Sequence, residues 1–439
     1  MKIDKSIPDI IGALTEAAIE AVKPENFIPA ALTRNGERLT ISDVSYDLGK
    51  YRNIYIVSIG KAAYGMASAL DKIIHDRLTE GIILTKHLPE KNTLGQRFHI
   101  MKGGHPVPNE GSIAGAEAIL ALLDKAEEND LVFFLISGGG SALMTRPFDG
   151  LDLKTYQDFS SAVLGCGADI KEFNTIRKHL DCVKGGRLAQ RAAPADHITL
   201  ILSDVVGSPP EVIASGPTVP DPSTYHDALN ILDRYADRAS FPKVIREILI
   251  QGCEGKIPET LKSNDPCYSG TADVFILAEN RIAAYTAAKR GIELGFDARV
   301  LNTELTGDAA VTGTILPSFF SELGSPGLLI FGGETTVNVR GTGLGGRNQE
   351  LALASVKEMS KRPGCVLFTL ATDGEDGSTD AAGAFVTSDT LSEALKMGVD
   401  PDEYLRNNDS WHFFQKLGCL IRTGSTGTNV NDLTFLIRF

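Results

Sequence analysis

The sequence contains no apolar run that approaches about 18 residues, so it lacks a segment long enough to cross a membrane as a helix. The N-terminal stretch also has no long apolar core followed by a cleavage site, which distinguishes it from a secretory signal. It has instead the pattern of an amphipathic helix that begins after Ser6, its predicted N-cap, and ends at Pro24. These absences predict a cytoplasmic protein.

Cysteine clusters and excess positive charge are also missing. The cysteines stand at positions 166, 182, 253, 267, 365 and 419 and form no CxxC or Cys/His cluster, so we expect reduced thiols and no zinc site. The formal net charge of -13 argues against binding to nucleic acid or to an anionic membrane surface. A local basic pocket for a small anion remains compatible with this charge.

Short β-rich runs alternate with helical patterns in the first half of the chain. Continuous apolar strands separated by helices are predicted at 53–60, 81–86, 131–137 and 197–204. This pattern predicts a doubly wound, Rossmann-like α/β domain whose parallel sheet is covered on both faces. A polar stretch broken by glycine and proline marks the boundary, and the α/β alternation then restarts. We therefore predict an N-terminal domain over residues 1–255 and a second α/β domain over 256–439.

A glycine-rich turn follows the third predicted strand. The run LVFFLISGGGSALM passes through Ser137, Gly138, Gly139, Gly140 and Ser141. Ligands of open α/β sheets bind at the carboxyl ends of strands, so this turn is predicted to bind an anion through its backbone N–H groups. The alternative is a tight turn that needs positive φ, although three consecutive glycines exceed that need. The turn is not a P-loop, because GxxxxGK[ST] is absent.

Two charged residues lie at the ends of other predicted strands. Lys61 directly follows the strand at 53–60, where its ammonium could meet a phosphoryl oxygen; the alternative is an ordinary surface lysine. Asp204 ends the strand at 197–204 and suits a general base or a magnesium ligand. The alternative for Asp204 is an Asx-turn or a helix cap.

A basic cluster lies within this acidic chain. It comprises Arg177, Lys178, His179, Lys184 and Arg187. These side chains form either a solvated helix face or a charged lid over an anionic ligand. The second interpretation makes Arg177 and Lys178 candidate substrate- or nucleotide-binding residues.

The segment GGETTVNVRGTGLGGRNQE, residues 332–350, places Glu334 at one end of a glycine-rich stretch and Arg347 near the other. Its later glycines, which include Gly345 and Gly346, would let backbone N–H groups approach phosphate oxygens closely. Arg347 then opens a predicted helix and can grip a phosphoryl group or a carboxylate by a forked contact. The sequence leaves both partners of Arg347 open.

Two aspartates stand in the loop ATDGEDGSTDAAGA. Asp373 and Asp376 could hold a hydrated Mg²⁺, with Asp204 as a further candidate ligand. The alternative for each aspartate is turn formation, and the EF-hand pattern is absent.

The order of several long motifs resembles that of class II glycerate kinases, whose C-terminal domain is called MOFRL. The motifs are SIGKAA, GGHPVP, ISGGGSAL, NTIRKHL with KGGRLA, SDVVG with IASGPTVPDP, GGETTV with GGRNQEL, TDGEDGSTDAAGA and TGTNVNDL, within about residues 57–433. Three positions depart from the family's motifs, because Ser208, Ser378 and Ser425 replace Asp, Pro and Pro. The departures bear on loop stiffness and on metal or substrate contacts near residue 208.

The resemblance implies ATP-dependent phosphorylation of D-glycerate, usually at the 2-hydroxyl, in a cleft between two α/β domains. It implies Lys61 and Arg347 as catalytic cations and ATP with Mg²⁺ or another divalent cation as cofactors. A homodimer is left open. One alternative is an NAD(P)H-dependent hydroxypyruvate reductase, which would need a GxGxxG fingerprint that no predicted strand here carries. Another is a non-catalytic nucleotide-sensing module.

Overall fold

The computed structural model describes residues 6–265 and 272–439, which fall into two compact units. One, here called the inserted unit, comprises residues 27–277. The other, the terminal unit, combines residues 1–26 with residues 278–439.

The chain begins with helix α1 (Ile7–Ala21), as its N-terminal pattern predicts. Ser6 is the N-cap, and its hydroxyl oxygen accepts a hydrogen bond from the backbone N–H of Asp9 at 3.3 Å. One face of the helix is buried and packs against the helix Asn280–Glu293 of the same unit. This packing explains why the first residues of the chain belong to the terminal unit.

The strands of the inserted unit form a small antiparallel sheet and a six-stranded main sheet. Their bounds are β1 Leu32–Asn35, β2 Arg38–Ile41, β3 Val44–Asp47, β4 Asn53–Ile59, β5 Glu80–Thr85, β6 Phe98–Lys102, β7 Asp130–Ile136, β8 Asp196–Leu202 and β9 Ala272–Ala278. The main sheet has the order β6-β5-β4-β7-β8-β9, and its strands from β6 to β8 run parallel. All of β7 is buried, as expected for a central strand covered on both faces.

Helices connect these strands, and some of them pack on the main sheet. Their bounds are α2 Pro24–Ala31, α3 Ala63–Ile74, α4 Glu110–Leu123, α5 Gly140–Leu143, α6 Leu153–Gly165, α7 Ile170–Lys178, α8 Arg187–Ala192, α9 Tyr225–Arg234 and α10 Lys243–Cys253, with short 3-10 turns at Leu48–Lys50 and Ile213–Ser215. Helices α6, α7, α9 and α10 share a separate apolar core. The prediction of a doubly wound parallel sheet is confirmed.

The terminal unit contains a mixed six-stranded sheet. Its strands are β10 Asp297–Leu305, β11 Gly327–Gly333, β12 Cys365–Ala371, β13 Gly383–Thr387, β14 Leu420–Ile421 and β15 Asp432–Arg438, in the order β10-β11-β15-β12-β13-β14. The last strand inserts antiparallel between β11 and β12. Phe368 and Phe435 face each other across this pairing with ring centroids 4.1 Å apart, and both are fully buried. Their stacking fixes the register at the centre of the sheet.

Helices also cover the sheet of the terminal unit, which confirms the predicted second α/β architecture. Their bounds are α11 Asn280–Glu293, α12 Ala309–Ile315, α13 Arg347–Met359, α14 Thr390–Lys396, α15 Pro401–Arg406 and α16 Ser410–Leu417, with a 3-10 segment at Leu316–Glu322. Helix α13 contributes its buried side to a core shared with β11, β12 and β13.

The predicted boundary at residue 255 differs from the observed division of the chain. The run DVFILAEN, predicted to open the second domain, forms β9 at the edge of the main sheet of the inserted unit. There Val274 and Ile276 pack on the same apolar core as Ile201, because an added strand extends the buried face of the sheet. The inserted unit therefore ends at residue 277.

Within the described residues, no helix is both long and apolar enough to span a membrane. The cysteines at 166, 182, 253, 365 and 419 are free thiols, whereas Cys267 lies outside the described residues.

Candidate active site

Three predicted site residues meet at the carboxyl edge of the main sheet in the inserted unit. The backbone N–H of Lys61, just after β4, donates to the carbonyl of Gly138, just after β7, at 2.9 Å. A Cβ built on Gly138 would lie 1.8 Å from Oδ2 of Asp204, which follows β8. Position 138 therefore requires glycine, because the Asp204 carboxylate occupies the space of a side chain. The structure thus brings Lys61, the glycine turn and Asp204 together.

Ser137 ties the ends of β4 and β7 to each other. Its hydroxyl accepts a hydrogen bond from the backbone N–H of Ala62 at 3.1 Å and donates to the carbonyl of Ile59 at 3.3 Å. The side chain is fully buried, and a Cβ on Gly60 would lie only 2.1 Å from its oxygen. The hydroxyl of Ser137 thus supports the turn rather than facing an incoming ligand, which revises its predicted binding role.

The rest of the turn packs against a strained loop. Ser141 Oγ lies 2.9 Å from Ser215 Oγ, and a Cβ on Gly140 would lie 2.7 Å from that of Ala214. Ala214 and Ser215 have φ values of 50° and 64°, in the left-handed region that non-glycine residues avoid. Such strain persists only where surrounding contacts hold it, and it is common beside ligand sites.

Ser208, one of the departures from the family motifs, lies in the same loop. It is buried and has a φ of 51°. Asp and Asn tolerate the left-handed region better than serine does, so serine carries a local conformational cost here. Ser378 and Ser425 are exposed.

His105 belongs to this edge of the sheet although the sequence did not single it out as a site residue. A Cβ built on Gly139 would lie 2.9 Å from His105 Cδ2, 3.1 Å from its Nε2 and 3.3 Å from Lys61 Cγ. Burial, together with the charges of Lys61 and Lys86, lowers the pKa of His105 to about 4. The available signal was the motif GGHPVP, which follows the edge strand β6.

The basic cluster forms internal contacts. Lys178 is 5% exposed, and its Nζ donates to Asp221 Oδ1 at 3.2 Å. His179 is fully buried, with Nε2 3.0 Å from Glu259 Oε1. These contacts replace the solvated helix face considered from the sequence. Asp221 accepts one of the three N–H donors of the Lys178 ammonium, so the predicted binding role of Lys178 stays a prediction.

Three further members of the cluster are also used internally. Lys184 is fully buried, with Nζ 3.2 Å from Asp181 Oδ2, and burial lowers its pKa to about 8. Arg187 donates to the backbone carbonyls of residues 258 and 259 and to a tyrosine hydroxyl. Arg177 donates to Asn174 and lies over a phenylalanine ring, and burial lowers its pKa. These internal contacts account for Lys184 and Arg187, whereas the ligand-binding role of Arg177 stays a prediction.

The terminal unit holds the second group of predicted site residues. Arg347 is the first residue of α13, and its Nη1 donates to Glu334 Oε1 at 2.5 Å. Its Nε donates to Asp432 Oδ2 at 2.5 Å and its Nη2 to Asp432 Oδ1 at 3.3 Å. Burial alone would lower the pKa of Arg347, but the charges of Asp432 and Glu334 raise it above its ordinary value. The guanidinium is therefore held charged and in a fixed orientation.

Arg347 lines a cavity of about 490 Å³ within the terminal unit. The other lining residues are Glu334, Thr335, Thr336, Val337, Val339, Gly343, Gly345, Gly346, Glu350, Gly377 and Asn408. This volume lies within the range of small-molecule pockets, about 300–1,000 Å³. Glu334, Gly345, Gly346 and Arg347 are therefore together, as the sequence predicts.

The glycines before Arg347 are explained mainly by close packing. A Cβ on Gly341 would lie 2.3 Å from the carbonyl oxygen of Asn407, and one on Gly345 would lie 2.2 Å from Ser410 Oγ. The N–H groups of Gly341 and Gly343 already bond to residues 408 and 407. Approach to phosphate oxygens thus remains a prediction for Gly345 and Gly346, while Gly341 and Gly343 have an internal role.

Asp376 caps helix α13. Its Oδ1 accepts the backbone N–H of Asn348 at 3.0 Å, and its Oδ2 accepts that of Gln349 at 2.8 Å and the Gln349 Nε2 at 3.0 Å. The side chain is 2% exposed, and burial raises its pKa to about 6. With both oxygens occupied, Asp376 does not fit the predicted role of a hydrated magnesium ligand.

Asp373 forms an Asx-turn, the alternative considered from the sequence. Its Oδ1 accepts the backbone N–H of Glu375 at 3.1 Å, and its side chain is half-buried. In residues 6–265 and 272–439 there is no cluster of three or more His, Cys, Asp or Glu side chains arranged to hold a metal ion. The metal ligands predicted from the sequence therefore remain single carboxylates, of which Asp204 and Asp373 stay open to a ligand role.

Comparison with known proteins covers nearly the whole chain. Residues 10–250 match the family described as Domain of unknown function (DUF4147), and residues 327–432 match the MOFRL family. A D-glycerate 2-kinase of Thermotoga maritima is 39% identical over 428 residues, which cover 96% of this chain and 97% of that protein. The crystal structure of a glycerate kinase from T. maritima is 37% identical, with a TM-score of 0.86 and coverage of 98% and 99% of the two chains. A protein of Agrobacterium vitis with a provisional hydroxypyruvate reductase name is 37% identical over 87% of this chain and 86% of its own length.

Proposed function

The chain belongs to the glycerate 2-kinase family, and on that premise we propose that it transfers the terminal phosphoryl group of ATP to the 2-hydroxyl of D-glycerate. The products are 2-phosphoglycerate and ADP. The observation that carries the proposal is the convergence of Lys61, the glycine turn and Asp204. It occurs in a chain that matches a D-glycerate 2-kinase over 97% of that kinase's length.

Phosphoryl transfer depends on positioning and on neutralising negative charge, since the protein has little covalent work to do. Lys61 is exposed and stands beside Gly138 and Gly139, where its ammonium would meet an oxygen of the transferring group. Asp204 is half-buried at the same edge of the sheet. It would accept the proton of the attacking hydroxyl or bind the cation that accompanies ATP.

Mg²⁺ would enter as part of the ATP substrate, where it neutralises charge on the phosphate oxygens. Such an ion keeps several waters and needs only one or two protein carboxylates. Asp204 fits this requirement because it is a single, partly accessible carboxylate beside the glycine turn. Asp376 does not fit, because backbone N–H groups occupy both of its oxygens.

Arg347 is proposed to bind an anionic group of a substrate in the cavity that it lines. A guanidinium has five N–H donors, and three of those of Arg347 are used by Glu334 and Asp432. The remaining two donors are available to a carboxylate or a phosphoryl group, as in other forked contacts. Both groups occur in this reaction, so the identity of the partner of Arg347 stays open.

The position of the transferred phosphate is tested with a coupled assay. The purified protein receives ATP, Mg²⁺ and D-glycerate, and enolase is added without phosphoglycerate mutase. Because enolase uses the 2-phosphate and not the 3-phosphate, an immediate enolase signal together with ADP release is expected. ADP release whose enolase signal appears only after mutase is added would assign the 3-hydroxyl instead.

The reductase alternative is tested on the same preparation. Hydroxypyruvate with NADH or NADPH should give no oxidation of the nicotinamide above the rate without protein. Steady oxidation, together with no ADP release from ATP and D-glycerate, would replace the kinase proposal with the reductase.

A further inference from the structure

His105 is held in a fixed position at the glycine turn. The segment that leads to it from β6 is tightly packed, since a Cβ on Gly103 would lie 2.6 Å from the Leu143 carbonyl oxygen. The N–H groups of Gly103 and Gly104 donate to Thr85 O and Ser112 Oγ, both at 3.0 Å. These contacts place the imidazole against Gly139 and the stem of Lys61.

The ring nitrogens of His105 are available to a ligand. Over the part of the chain that the structure describes, neither nitrogen forms a hydrogen bond with another residue, although the side chain is partly buried. Neither nitrogen is among the fully buried unpartnered side-chain atoms of the described residues, so an incoming ligand can reach them. A substrate oxygen that enters beside Gly139 and Lys61 would therefore lie within reach of the imidazole.

The charge state of His105 suits contact with an anion that already has cationic neighbours. Burial, with Lys61 and Lys86 nearby, keeps the pKa of His105 below its ordinary range, so the imidazole is neutral at pH 7. A neutral imidazole carries one N–H donor and one acceptor. Catalytic sites elsewhere use a neutral imidazole as a hydrogen-bond donor to a substrate oxygen.

We propose that His105 is a further substrate-binding residue, which donates a hydrogen bond from its imidazole to an oxygen of the anionic group held at Lys61 and Gly139. The inference rests on the proposed kinase function. The oxygen belongs either to an ATP phosphate or to glycerate, and the two sources are separated by experiment.

Three substitutions test the contact. His105→Leu removes both nitrogens, whereas His105→Gln and His105→Asn restore an N–H donor near the Nε2 and Nδ1 positions, respectively. We expect His105→Leu to lower kcat/KM by about 10- to 100-fold, the loss associated with one hydrogen bond to a charged group. One of the two amide variants should recover to within about fivefold of wild type, and the recovering variant identifies the donating nitrogen.

A matched control and a binding measurement complete the design. His99, an exposed histidine of β6, is changed to Leu and should leave kcat/KM unchanged. Calorimetric Kd values for ATP and for D-glycerate need no turnover, so they remain informative if the wild type proves inactive as a glycerate kinase. The ligand whose Kd rises in His105→Leu contributes the oxygen.

Two results would overturn the proposal. One is a His105→Leu variant whose kcat/KM and Kd values all stay within about threefold of wild type, a change smaller than one hydrogen bond. The other is an equal loss in all three variants together with a lowered melting temperature, which would mean that the imidazole only packs against Gly139.

Discussion

Asp432 holds the guanidinium of Arg347 through two hydrogen bonds, Nε to Oδ2 at 2.5 Å and Nη2 to Oδ1 at 3.3 Å. Asp432 is the first residue of β15, and Arg347 is the first residue of α13. The pair therefore fixes the orientation of the one arginine side chain that lines the cavity of the terminal unit, among the residues described. Burial raises the pKa of Asp432, whereas the charge of Arg347 lowers it.

Arg347→Lys should lower kcat/KM by about 10- to 100-fold, because lysine keeps the charge but cannot make the forked contact. Arg340, an exposed arginine in the same loop, supplies the control, and Arg340→Lys should be close to wild type. Steady-state kinetics with each substrate varied in turn measures both variants. Activity of Arg347→Lys within about threefold of wild type would mean that one positive charge is sufficient there.

Lys61→Ala should lose about 100-fold or more in kcat with little change in KM, since the ammonium is expected to act mainly on charge that develops in the transition state. Lys72, an exposed lysine of the following helix α3, is the matched control. A Lys61→Ala variant within about threefold of wild type, or about 0.7 kcal/mol, would remove Lys61 from the mechanism. For the control variant Lys72→Ala, activity within about threefold of wild type is expected.

The central strands could be predicted from sequence because burial on both faces makes them continuously apolar. This holds for β4, β7 and β8, and their ends then placed Lys61 and Asp204 at one edge of the sheet. The edge strand β6 lacks that signal. β6 carries exposed His99 and Lys102, so it was not recognised, and His105 beyond it was missed. β9 was recognised as a strand but assigned to the wrong sheet, because its neighbour β8 is distant in sequence.

The sequence also could not predict which residues the charged side chains contact in the folded protein. Lys178 pairs with Asp221, which is 43 residues away, and Asp376 caps helix α13 by accepting the backbone N–H of Asn348, which is 28 residues earlier in the chain. The sequence shows such charges but not the residues they meet after folding. Loops rich in aspartate therefore resembled metal sites, although Asp376 serves to satisfy backbone N–H groups.

Asp376 should make stability depend on pH. Its pKa of about 6 in the folded protein exceeds the unfolded value of about 3.9, so the folded state binds the proton more tightly. The free energy of unfolding should therefore decrease as pH rises from about 4 to about 6, by about 1–3 kcal/mol from this group. Asp376→Asn, which cannot ionise, should lose that dependence.

Urea unfolding at several pH values measures the difference between the wild type and Asp376→Asn. Glu375 is exposed in the same loop, so Glu375→Gln serves as the control and should follow the wild type. A constant difference between the wild type and Asp376→Asn from pH 4 to pH 7 would contradict the raised pKa. The helix cap itself would still be tested by Asp376→Ala, which leaves buried N–H groups unpaired and should cost about 1–3 kcal/mol.

Asp204→Asn should abolish most turnover while the fold survives. The substitution preserves the shape of a side chain that lies directly over Gly138, so packing at the turn is retained. It removes the negative charge that a general base or a cation ligand requires. We expect kcat to fall by about 100-fold or more, in the range found when catalytic proton transfer is lost.

Thermal melting of Asp204→Asn checks the fold, and a titration of Mg²⁺ separates the two roles. If Asp204 binds the cation, excess Mg²⁺ should recover part of the activity of Asp204→Asn; if it is the base, kcat should stay low at every Mg²⁺ concentration. Near-normal turnover with an unchanged melting profile would leave Asp204 with the structural role of a residue that ends β8.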